Sequence, residues 1–396
     1  MAERPAVSAE SISPAQAAWR RFRSDKLALA SLPLVALLIL LALLAPLLAN
    51  PRPLLLYTPE TGLTFPFLRA YFAPESTEYL IEQCFNWALP ALLAWGIAVL
   101  LFRRRAVVRR TVSALAALLL MIPFFTTAPK LERVNFRDRP LPAGSFRVMA
   151  FLPYGPYEQI GTPGEAPNRK HLLGCDELGR DLACRILYGA RVSLAVGLFA
   201  TFLALVIGLL VGISSGYVGG WYDLAVMRCV EILMCFPVFL LLLILMAIFQ
   251  DRKFEQSILI VIGVIAATGW IGVAQLARGE SLKQREMAYI QAARTLGVSG
   301  FRIMAIHLLP NIAGVILITF TFGVAGAILA ESGLSFLGFG VQPPTASWGG
   351  MLRAAFDDPL GYWHLTVFPG LMLFWAVAGF NFLGEGIRKA LDPRAS

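Results

Sequence analysis

Few residues in this sequence have the types and spacing that covalent chemistry or metal binding requires. The phosphate-binding pattern GxxxxGK[ST], the zinc-protease pattern HExxH and the kinase signatures are absent, and no GxSxG stands in a strand–turn–helix setting. The three histidines His171, His307 and His364 are far apart, and none of the five cysteines forms a CxxC pair. The sequence therefore predicts no catalytic residue, no bound metal, no cofactor of its own and no ATP hydrolysis.

Charged residues within the apolar part of the sequence are scarce, but one pair is spaced to interact. Arg228 and Glu231 are three positions apart, so on a helix they share a face and can form an ion pair. Pro237 follows them and acts either as a hinge or as a static kink. These three residues are the candidates for a gate. No series of carboxylates lies in the middle of the apolar runs, which disfavours a proton- or sodium-coupled carrier.

Cys175 and Cys184 lie in the same stretch between apolar runs. A disulfide between them is one interpretation, and it requires an oxidising compartment. Two small, partly buried thiols are the other interpretation, which we favour.

The elements that would carry these residues are membrane helices. Hydrophobic residues make up 57% of the 396 positions and charged residues 15%, with a mean hydropathy of +0.68. This composition excludes disordered, collagen-like and small disulfide-rich proteins, and most classes of soluble enzyme. The net charge of +9 indicates orientation in a bilayer, because no basic face interleaved with aromatic residues points to nucleic acid.

Eight charge-free apolar runs are long enough to cross a bilayer. The sequence therefore predicts an all-α membrane protein, a polytopic helical bundle of about eight transmembrane helices. The runs are Leu27–Pro51, Gln83–Phe102, Thr111–Pro129, Val192–Tyr222, Ile232–Gln250, Gln256–Ala277, Ile303–Ala330 and Pro359–Gly384. A ninth run, Ser332–Leu352, contains five glycines and two prolines and is expected to be a loop packed on the protein.

The distribution of Lys and Arg predicts that both termini are cytoplasmic. The N-terminal tail and the turn RRRAVVRR are basic, whereas the short loops of the opposite side hold few basic residues. The first run is too long for a cleaved signal and is expected to stay as an anchor. The expected order is a cytoplasmic tail 1–26, a first transmembrane helix 27–49, an outer segment 50–83, a transmembrane hairpin 84–129, an outer loop domain 130–190, a five-span block 191–386 that contains an inner loop 278–310, and a cytoplasmic tail 387–396.

The outer loop domain leads into the segment Glu177–Leu194. Its residues Leu178, Leu182, Ile186 and Leu187 fall on one helical face, and its charged residues fall elsewhere. This pattern predicts an amphipathic helix lying at the outer interface before the next span.

The inner loop 278–310 is long for a connection between two spans and has helix signals of its own. MAYIQAARTL favours a helix, and Gly297 follows it as the expected C′ residue. Ser299 is expected to cap a second helix that runs to Leu309, with Pro310 bending it. The loop is either an ordinary cytosolic helix pair or a helix that docks into a groove on a soluble partner.

A resemblance favours docking. QAARTLGVSGFRIMAIHLLPN resembles the EAA motif of binding-protein-dependent ABC importer permeases. That motif reads Glu-Ala-Ala, three residues, Gly, about nine residues, then an apolar residue followed by Leu-Pro, and Gln291 stands where Glu is usual. The two alanines give the helix a smooth surface that another protein can approach. The residues to which the resemblance assigns coupling with an ATPase are Gln291, Ala292, Ala293, Gly297, Leu309 and Pro310.

Other segments resemble the C-type subunit of dipeptide/oligopeptide permeases. HLLGCDELGRDLACRILYGARVSL is similar to the pattern HxLGTDxLGRDxLSRxxYGxRxSL, with Cys175 in place of Thr and Cys184 in place of Ser. AWRRFRSDKLALAS, GYVGGWYDLAVMRCVEILMCFP, ESGLSFLGFGVQPPTASWGGML and FNFLGEGIRKALDPR are similar to further segments of that family. The likeness covers about 13–50 and 171–394. The hairpin 84–129 lies outside it and is interpreted as an insertion that adds two spans to a six-span core.

The resemblance implies a permease subunit that moves di- or oligopeptides across the inner (plasma) membrane. The implied partners are a second permease subunit, two ATP-binding subunits that hold ATP and Mg, and an extracytoplasmic solute-binding protein, in a lipid bilayer and without nucleic acid. Import of nickel, a peptide antibiotic or another small solute on the same scaffold stays open. A secondary carrier or channel is a remote alternative.

Overall fold

The computed structural model describes residues 14–68, 78–101, 111–115, 118, 136–250 and 257–392. The chain is mainly helical within these ranges, as the apolar runs predict. The helices are α1 (Pro14–Ser24), α2 (Lys26–Leu48), α3 (Tyr79–Leu101), α4 (Leu182–Val218), α5 (Gly220–Met234), α6 (Val238–Gln250), α7 (Ser257–Arg285), α8 (Ala288–Thr295), α9 (Ala313–Phe336), α10 (Trp348–Ala354) and α11 (Trp363–Leu391).

Six of these helices are long and apolar enough to cross a membrane: α2, α3, α4, α7, α9 and α11. The consecutive helices α5 and α6 make a seventh crossing if they form one broken span. The expected second arm of the hairpin, Thr111–Pro129, lies mostly outside the described residues. The chain is therefore a polytopic helical membrane protein, and the expected total of eight spans stays a prediction.

Two apolar runs do not form the straight spans that the sequence predicts. The run Ile232–Gln250 is broken, because α5 and α6 meet at an angle of 83° where Pro237 precedes the first residue of α6. The run Ile303–Ala330 starts too early, because α9 begins only at Ala313. Pro237 explains the first difference, since proline lacks the N–H that would continue a helical hydrogen-bond ladder. The second difference follows from the π-helix Ile303–Leu308 and the short turn Leu309–Asn311, which precede α9.

The expected surface helix over Glu177–Leu194 is also wrong. α4 begins at Leu182, where the Asp181 carboxylate caps it by accepting the Cys184 backbone N–H at 2.8 Å, and it continues without a break into the span. Its first turns are almost entirely buried, including Arg185 and Arg191. A charged face therefore does not mean a solvated face here, because the two guanidinium groups are enclosed by other parts of the chain.

The centre of the bundle is the contact between α4 and α7, which depends on three glycines four residues apart in α4. A Cβ at Gly208 would lie 2.7 Å from the Trp270 carbonyl oxygen of α7, and one at Gly216 would lie 2.7 Å from that of Arg278. Gly212 faces the α7 backbone between them in the same way. Small residues let two membrane helices approach until their backbones touch, so these glycines serve packing.

α2 is joined to α4 by a buried cation. Pro46 in α2 has no N–H, so the carbonyl of Ala42 receives no helical hydrogen bond from it. Arg191 of α4 donates its Nε–H to that carbonyl at 2.7 Å, and its Nη2 reaches the carbonyl of Leu43 at 3.3 Å. Pro46 in α2 thus leaves the Ala42 carbonyl free to accept a hydrogen bond from Arg191, and this bond joins α2 to α4.

Segments that follow α2 and precede α4 form a small antiparallel sheet that the sequence did not predict. Its strand order is β2–β1–β3, with β1 at Leu55–Thr58, β2 at Gly62–Thr64 and β3 at Phe146–Val148. Tyr57 of β1 stacks on its register partner Phe146 at a ring distance of 5.6 Å. The segment that follows α2 is therefore paired with the segment that precedes α4.

α3, the first arm of the expected hairpin, packs at the side of the bundle against α2 and α4. The N-terminal end of α3 carries its polar attachments. Glu78, just before the helix, accepts the Ser257 hydroxyl at 2.6 Å and the Ile258 N–H at 3.2 Å at the start of α7. Glu82 accepts the Tyr157 hydroxyl at 3.1 Å. Towards its other end α3 exposes large apolar side chains: Leu92, Leu93, Ile97, Leu100 and Leu101.

Candidate functional site

The inner loop after α7 carries the helix α8, and α8 is fixed to the bundle by one apolar face. Ile290 and Ala293 are buried on that face. They belong to a cluster whose other buried members come from α4, α7 and the segment after α8: Ile213, Ala277, Ile303, Leu308 and Ile312. The packing makes α8 a rigid extension of the span bundle instead of a loose loop.

Gly297 ends α8 as the sequence predicts. Its φ of +75° is in the left-handed region, where a residue with a Cβ is strained. The Val298 N–H bonds the Ala293 carbonyl at 3.1 Å, and the Gly297 N–H bonds the Arg294 carbonyl at 3.0 Å. This pair of hydrogen bonds defines a Schellman motif with Gly297 at C′, which confirms the expected helix end.

The segment after Gly297 differs from the expected second helix. Ser299 occupies the N-cap position of the short turn Gly300–Arg302, but its side chain makes no capping hydrogen bond. Residues Ile303–Leu308 then form a π-helix instead of an α-helix. Its first and last residues are both buried, so the wider turn brings two apolar side chains, five positions apart, into the same core. Leu309–Asn311, with Pro310 inside it, completes the connection to α9.

The other face of this region is exposed and apolar. Leu296 is 82% exposed and Phe301 is 78% exposed, and Ile306 and Leu309 are exposed as well. Ala292 lies on this exposed face, whereas Ala293 lies on the buried face. The two adjacent alanines of the motif therefore do not form one surface. Gln291 is exposed, and its side-chain amide donates to the Arg285 carbonyl at 3.3 Å.

Two cations attach this region to the end of α4. Arg294 of α8 lies over the Tyr217 ring at 4.7 Å from its centroid. Arg285 at the end of α7 donates from Nη1 to the Gly216 carbonyl at 3.1 Å. A force on α8 would therefore reach both α4 and α7.

A second group of candidate residues lies on α5. Arg228 and Glu231 form the ion pair that their spacing predicts, with Nη1 and Oε2 2.6 Å apart, and their side chains are 68% and 55% exposed. They line an open cleft of about 550 Å³ between α5 and α7. Its other lining residues are Gly220, Asp223, Leu224, Met227, Gln275 and Arg278.

Sequence reasoning missed the ion pair between two lining residues of this cleft. Asp223 of α5 accepts two hydrogen bonds from Arg278 of α7, at 2.5 Å from Nε and 2.6 Å from Nη2, and it also accepts the Ser215 hydroxyl of α4. A two-pronged Arg–carboxylate pair holds its partners in a fixed orientation. The signal in the sequence was a lone acid and a lone base, each at an end of an apolar run.

Pro237 lies at the elbow between the two halves of the broken span. Contacts of the i to i−3 type close the end of α5, from Cys235 N–H to the Ile232 carbonyl at 3.2 Å. The Pro237 carbonyl accepts the Leu241 N–H at 3.1 Å at the start of α6. The bend is thus a local change of hydrogen bonding, located where the sequence predicts a hinge or kink.

The thiols of Cys175 and Cys184 are both free and buried. Cys184 donates from Sγ to the Tyr154 carbonyl at 3.3 Å, whereas Cys175 Sγ lies near the Glu165 carboxylate. The burial of both side chains agrees with the interpretation of two buried thiols. Among the described residues, the set that could hold a metal is Glu165, His171 and Cys175.

Comparison with known proteins finds two matching families. The family described as binding-protein-dependent transport system inner membrane component matches residues 204–396. The family described as the N-terminal TM domain of oligopeptide transport permease C matches residues 13–61. These two segments contain α1, α2, the C-terminal part of α4 and every described helix after it.

Individual relatives cover much of the chain. The glutathione transport system permease protein GsiD of Pectobacterium atrosepticum is 37% identical over 252 residues, which are 63% of this chain and 82% of that protein. The dipeptide transport system permease protein DppC of Bacillus subtilis is 40% identical over 229 residues, which are 58% of this chain and 70% of that protein. A GsiD protein of Escherichia coli is 40% identical over 241 residues, covering 61% and 77% of the two chains.

Proposed function

Because this chain belongs to the family of binding-protein-dependent transport system inner membrane components, we propose that α8 receives the motion of partner ATPases and that the α5–α6 face lines the path of a short peptide. The chain is a permease subunit of a binding-protein-dependent ABC importer and is located in the inner membrane. The proposal concerns which parts of the chain carry that function.

The observation that carries the coupling role is the division of the α8 region into two faces. Ile290 and Ala293 fix the inner face in a buried cluster that reaches α4 and α7. Leu296 and Phe301 expose large apolar surface on the other face. Exposed apolar groups gathered on one side of a structured loop mark a surface that another protein covers. That partner is an ATP-binding subunit, which holds ATP and Mg, since this sequence has no phosphate-binding loop.

The α5–α6 face supports an interface with the second permease subunit. In α5 only Met227 and Val230 are buried, so most of this broken span lacks cover from the rest of the chain. Arg228 and Glu231 are exposed on it, and an exposed ion pair in contact with lipid would be costly. A water-filled path between two subunits removes that cost. The bend at Pro237 then places a gate beside the pair.

A short peptide is the substrate that we propose for this path. A peptide carries an ammonium group and a carboxylate, and the cleft offers an acid and a base on one helix face. The cleft-lining residues include no cysteine and no histidine, which favours a peptide over nickel. The names of the relatives, which refer to dipeptide and glutathione transport, agree with a small peptide substrate. The peptide is delivered by an extracytoplasmic solute-binding protein, and both termini of the chain are cytoplasmic.

The test is assembly and ATP-driven dipeptide uptake by the full complex in proteoliposomes. Leu296→Asp and Phe301→Asp should each reduce recovery of the ATP-binding subunits and uptake by about tenfold, as expected for central interface positions. Leu360→Asp is the matched control, because Leu360 is 88% exposed but lies in the loop between α10 and α11, far along the chain from α8. Full assembly of both α8-region variants would contradict the docking role. Uptake without ATP-binding subunits would contradict the importer assignment.

A further inference from the structure

Three side chains of types that bind transition metals converge in the segment that precedes α4. Glu165, His171 and Cys175 each bring one ligand atom within 4.8 Å of the other two. Glu165 Oε2 and Cys175 Sγ are 4.0 Å apart. His171 and Cys175 are buried, and Glu165 is half-buried. The cluster thus has an enclosed interior and one side that an ion from solution can reach.

A fourth side chain, that of Asn168, holds Glu165 and His171 in place. Its amide Nδ2 donates to Glu165 Oε1 at 2.7 Å, and its Oδ1 accepts the His171 backbone N–H at 2.8 Å. The Cys175 backbone N–H bonds the Glu165 carbonyl at 2.8 Å, which ties the third residue to the first. Metal sites in proteins have ligands that neighbouring hydrogen bonds hold in position, and this frame provides them.

The imidazole of His171 is also oriented by a carboxylate. Its Nδ1 lies 2.9 Å from Oδ2 of Asp181, and the ring stacks on Tyr154 at 4.9 Å. A proton on Nδ1 satisfies Asp181 and leaves the Nε2 lone pair unprotonated. This carboxylate–histidine pairing is the usual support of a histidine that binds a metal.

The charge around Cys175 favours a cation. The carboxylates of Glu165, Asp181 and Asp176 all lie close enough to Cys175 to act on it electrostatically. Arg180 and Arg185 pair with Asp176. A divalent ion bound between the Cys175 sulfur and the Glu165 carboxylate would offset the remaining negative charge.

We propose that Glu165, His171 and Cys175 form a binding site for a divalent transition metal ion of the zinc class. One thiolate, one imidazole and one carboxylate suit Zn²⁺ or Co²⁺, whereas Mg²⁺ and Ca²⁺ prefer oxygen ligands only. Water occupies the remaining position of a tetrahedral site. The bound ion joins the segment around Glu165 to the turn before α4, so it stabilises the outer segment. The site is independent of the proposed peptide path.

The test is a Co²⁺ titration of the purified full chain, followed by the absorption of a thiolate–cobalt bond. The wild-type chain should bind one Co²⁺ with this absorption, and Zn²⁺ should displace it. Cys175→Thr should abolish the absorption, and Thr is the residue in the similar family pattern, so this change is mild. Cys184→Ser is the matched control: it removes another buried thiol nearby, outside the cluster, and should leave the absorption unchanged.

Glu165→Gln gives a second measurement if Cys175→Thr does not fold, because Gln keeps the side-chain shape and one oxygen that can accept the Asn168 amide, while it removes the negative charge. It should weaken Co²⁺ binding by at least about tenfold while the thiolate absorption at saturation persists. The proposal is overturned if wild-type protein shows no thiolate absorption, if the absorption survives Cys175→Thr, or if Glu165→Gln leaves the affinity unchanged. Loss of the absorption in Cys184→Ser would indicate that Cys184 supplies the thiolate, and this result would also overturn the proposal.

Discussion

At the scale of single residues, polar side chains in this bundle repair interruptions of the helical backbone. Arg191 bonds the carbonyl that Pro46 leaves without a helical donor. Asn50 donates from its side chain to the Pro46 carbonyl at 3.0 Å, and Asp181 accepts a free N–H at the start of α4. Because these positions are buried, each unpaired group would be costly, so the polar residues follow from the breaks in the helices.

Arg191 provides a direct test of this pairing. Arg191→Met keeps much of the side-chain volume but leaves the Ala42 carbonyl buried without its donor, which costs about 1–3 kcal/mol. We expect a lower apparent Tm for the detergent-purified chain. Arg23→Met is the control, because Arg23 is exposed in α1. Equal Tm values for the two variants would show that the bond between α4 and α2 contributes no stability.

Gly297 tests whether the end of α8 has to be rigid. Its positive φ costs a residue with a Cβ roughly 1–2 kcal/mol, whereas Asn tolerates that conformation better. A Cβ at this position would meet no atom within 4 Å, so conformation and not space decides the outcome. Gly297→Val should lower dipeptide-stimulated ATP hydrolysis by the reconstituted complex, and Gly297→Asn should keep more of it. Equal ATP hydrolysis by the Gly297→Val, Gly297→Asn and wild-type complexes would show that coupling does not need a rigid end of α8.

At the scale of elements, the sequence predicts the positions of apolar helices well, but it predicts poorly what each helix packs against. Length and hydropathy locate α2, α3, α4 and α7, and the Gly297 signal locates the end of α8. The same signals cannot tell a helix end enclosed by protein from one lying on a membrane, and this explains the error over Glu177–Leu194. Asp181 as an N-cap residue was the local signal that could have placed the start of α4.

The periodicity of the sequence cannot predict which residues of the candidate site contact each other. Asp223 and Arg278 are far apart in the sequence, and the packing of α5 against α7 brings them together. The adjacent residues Ala292 and Ala293 look equivalent in sequence, yet one faces outward and the other inward. The direction of a short helix depends on which face the neighbouring helices cover, and no pattern within eight residues fixes it.

The two faces of α8 lead to opposite outcomes for a pair of arginine substitutions. Ala292→Arg places a bulky charge on the exposed face, so it should block binding of the ATP-binding subunits without lowering the apparent Tm of the isolated chain. Ala293→Arg inserts the same group into the buried cluster with Ile290 and Ile303, so it should lower that Tm. Co-purification and Tm are measured for both variants. A drop in Tm for Ala292→Arg, or none for Ala293→Arg, would reverse the assigned faces.

At the scale of the whole molecule, α3, the first arm of the predicted hairpin, is attached differently from the other long helices. α4 packs along α7 and α9, α9 packs along α11, and the start of α2 is linked to the end of α11 by Asp25 and Lys389, 2.8 Å apart. In α3 the buried residues are Ile81, Gln83, Asn86, Ala91 and Ala98. Its polar attachments are at its N-terminal end. A helix with one lipid-facing side and no charge within the bilayer has no need to line the transport path.

Deletion of residues 84–129 tests this peripheral position. The deletion is closed by a flexible linker, so that Glu78 and Glu82 keep their bonds to Ser257 and Tyr157. Arg191 loses the Phe85 ring, 5.6 Å away, but keeps Tyr188, so the yield and apparent Tm should fall only moderately. Uptake per assembled complex should be retained. The control carries the same linker inserted in the RRRAVVRR turn without a deletion. If deleted complexes bind the solute-binding protein and hydrolyse ATP normally yet move no dipeptide, α3 and its partner arm belong to the path after all.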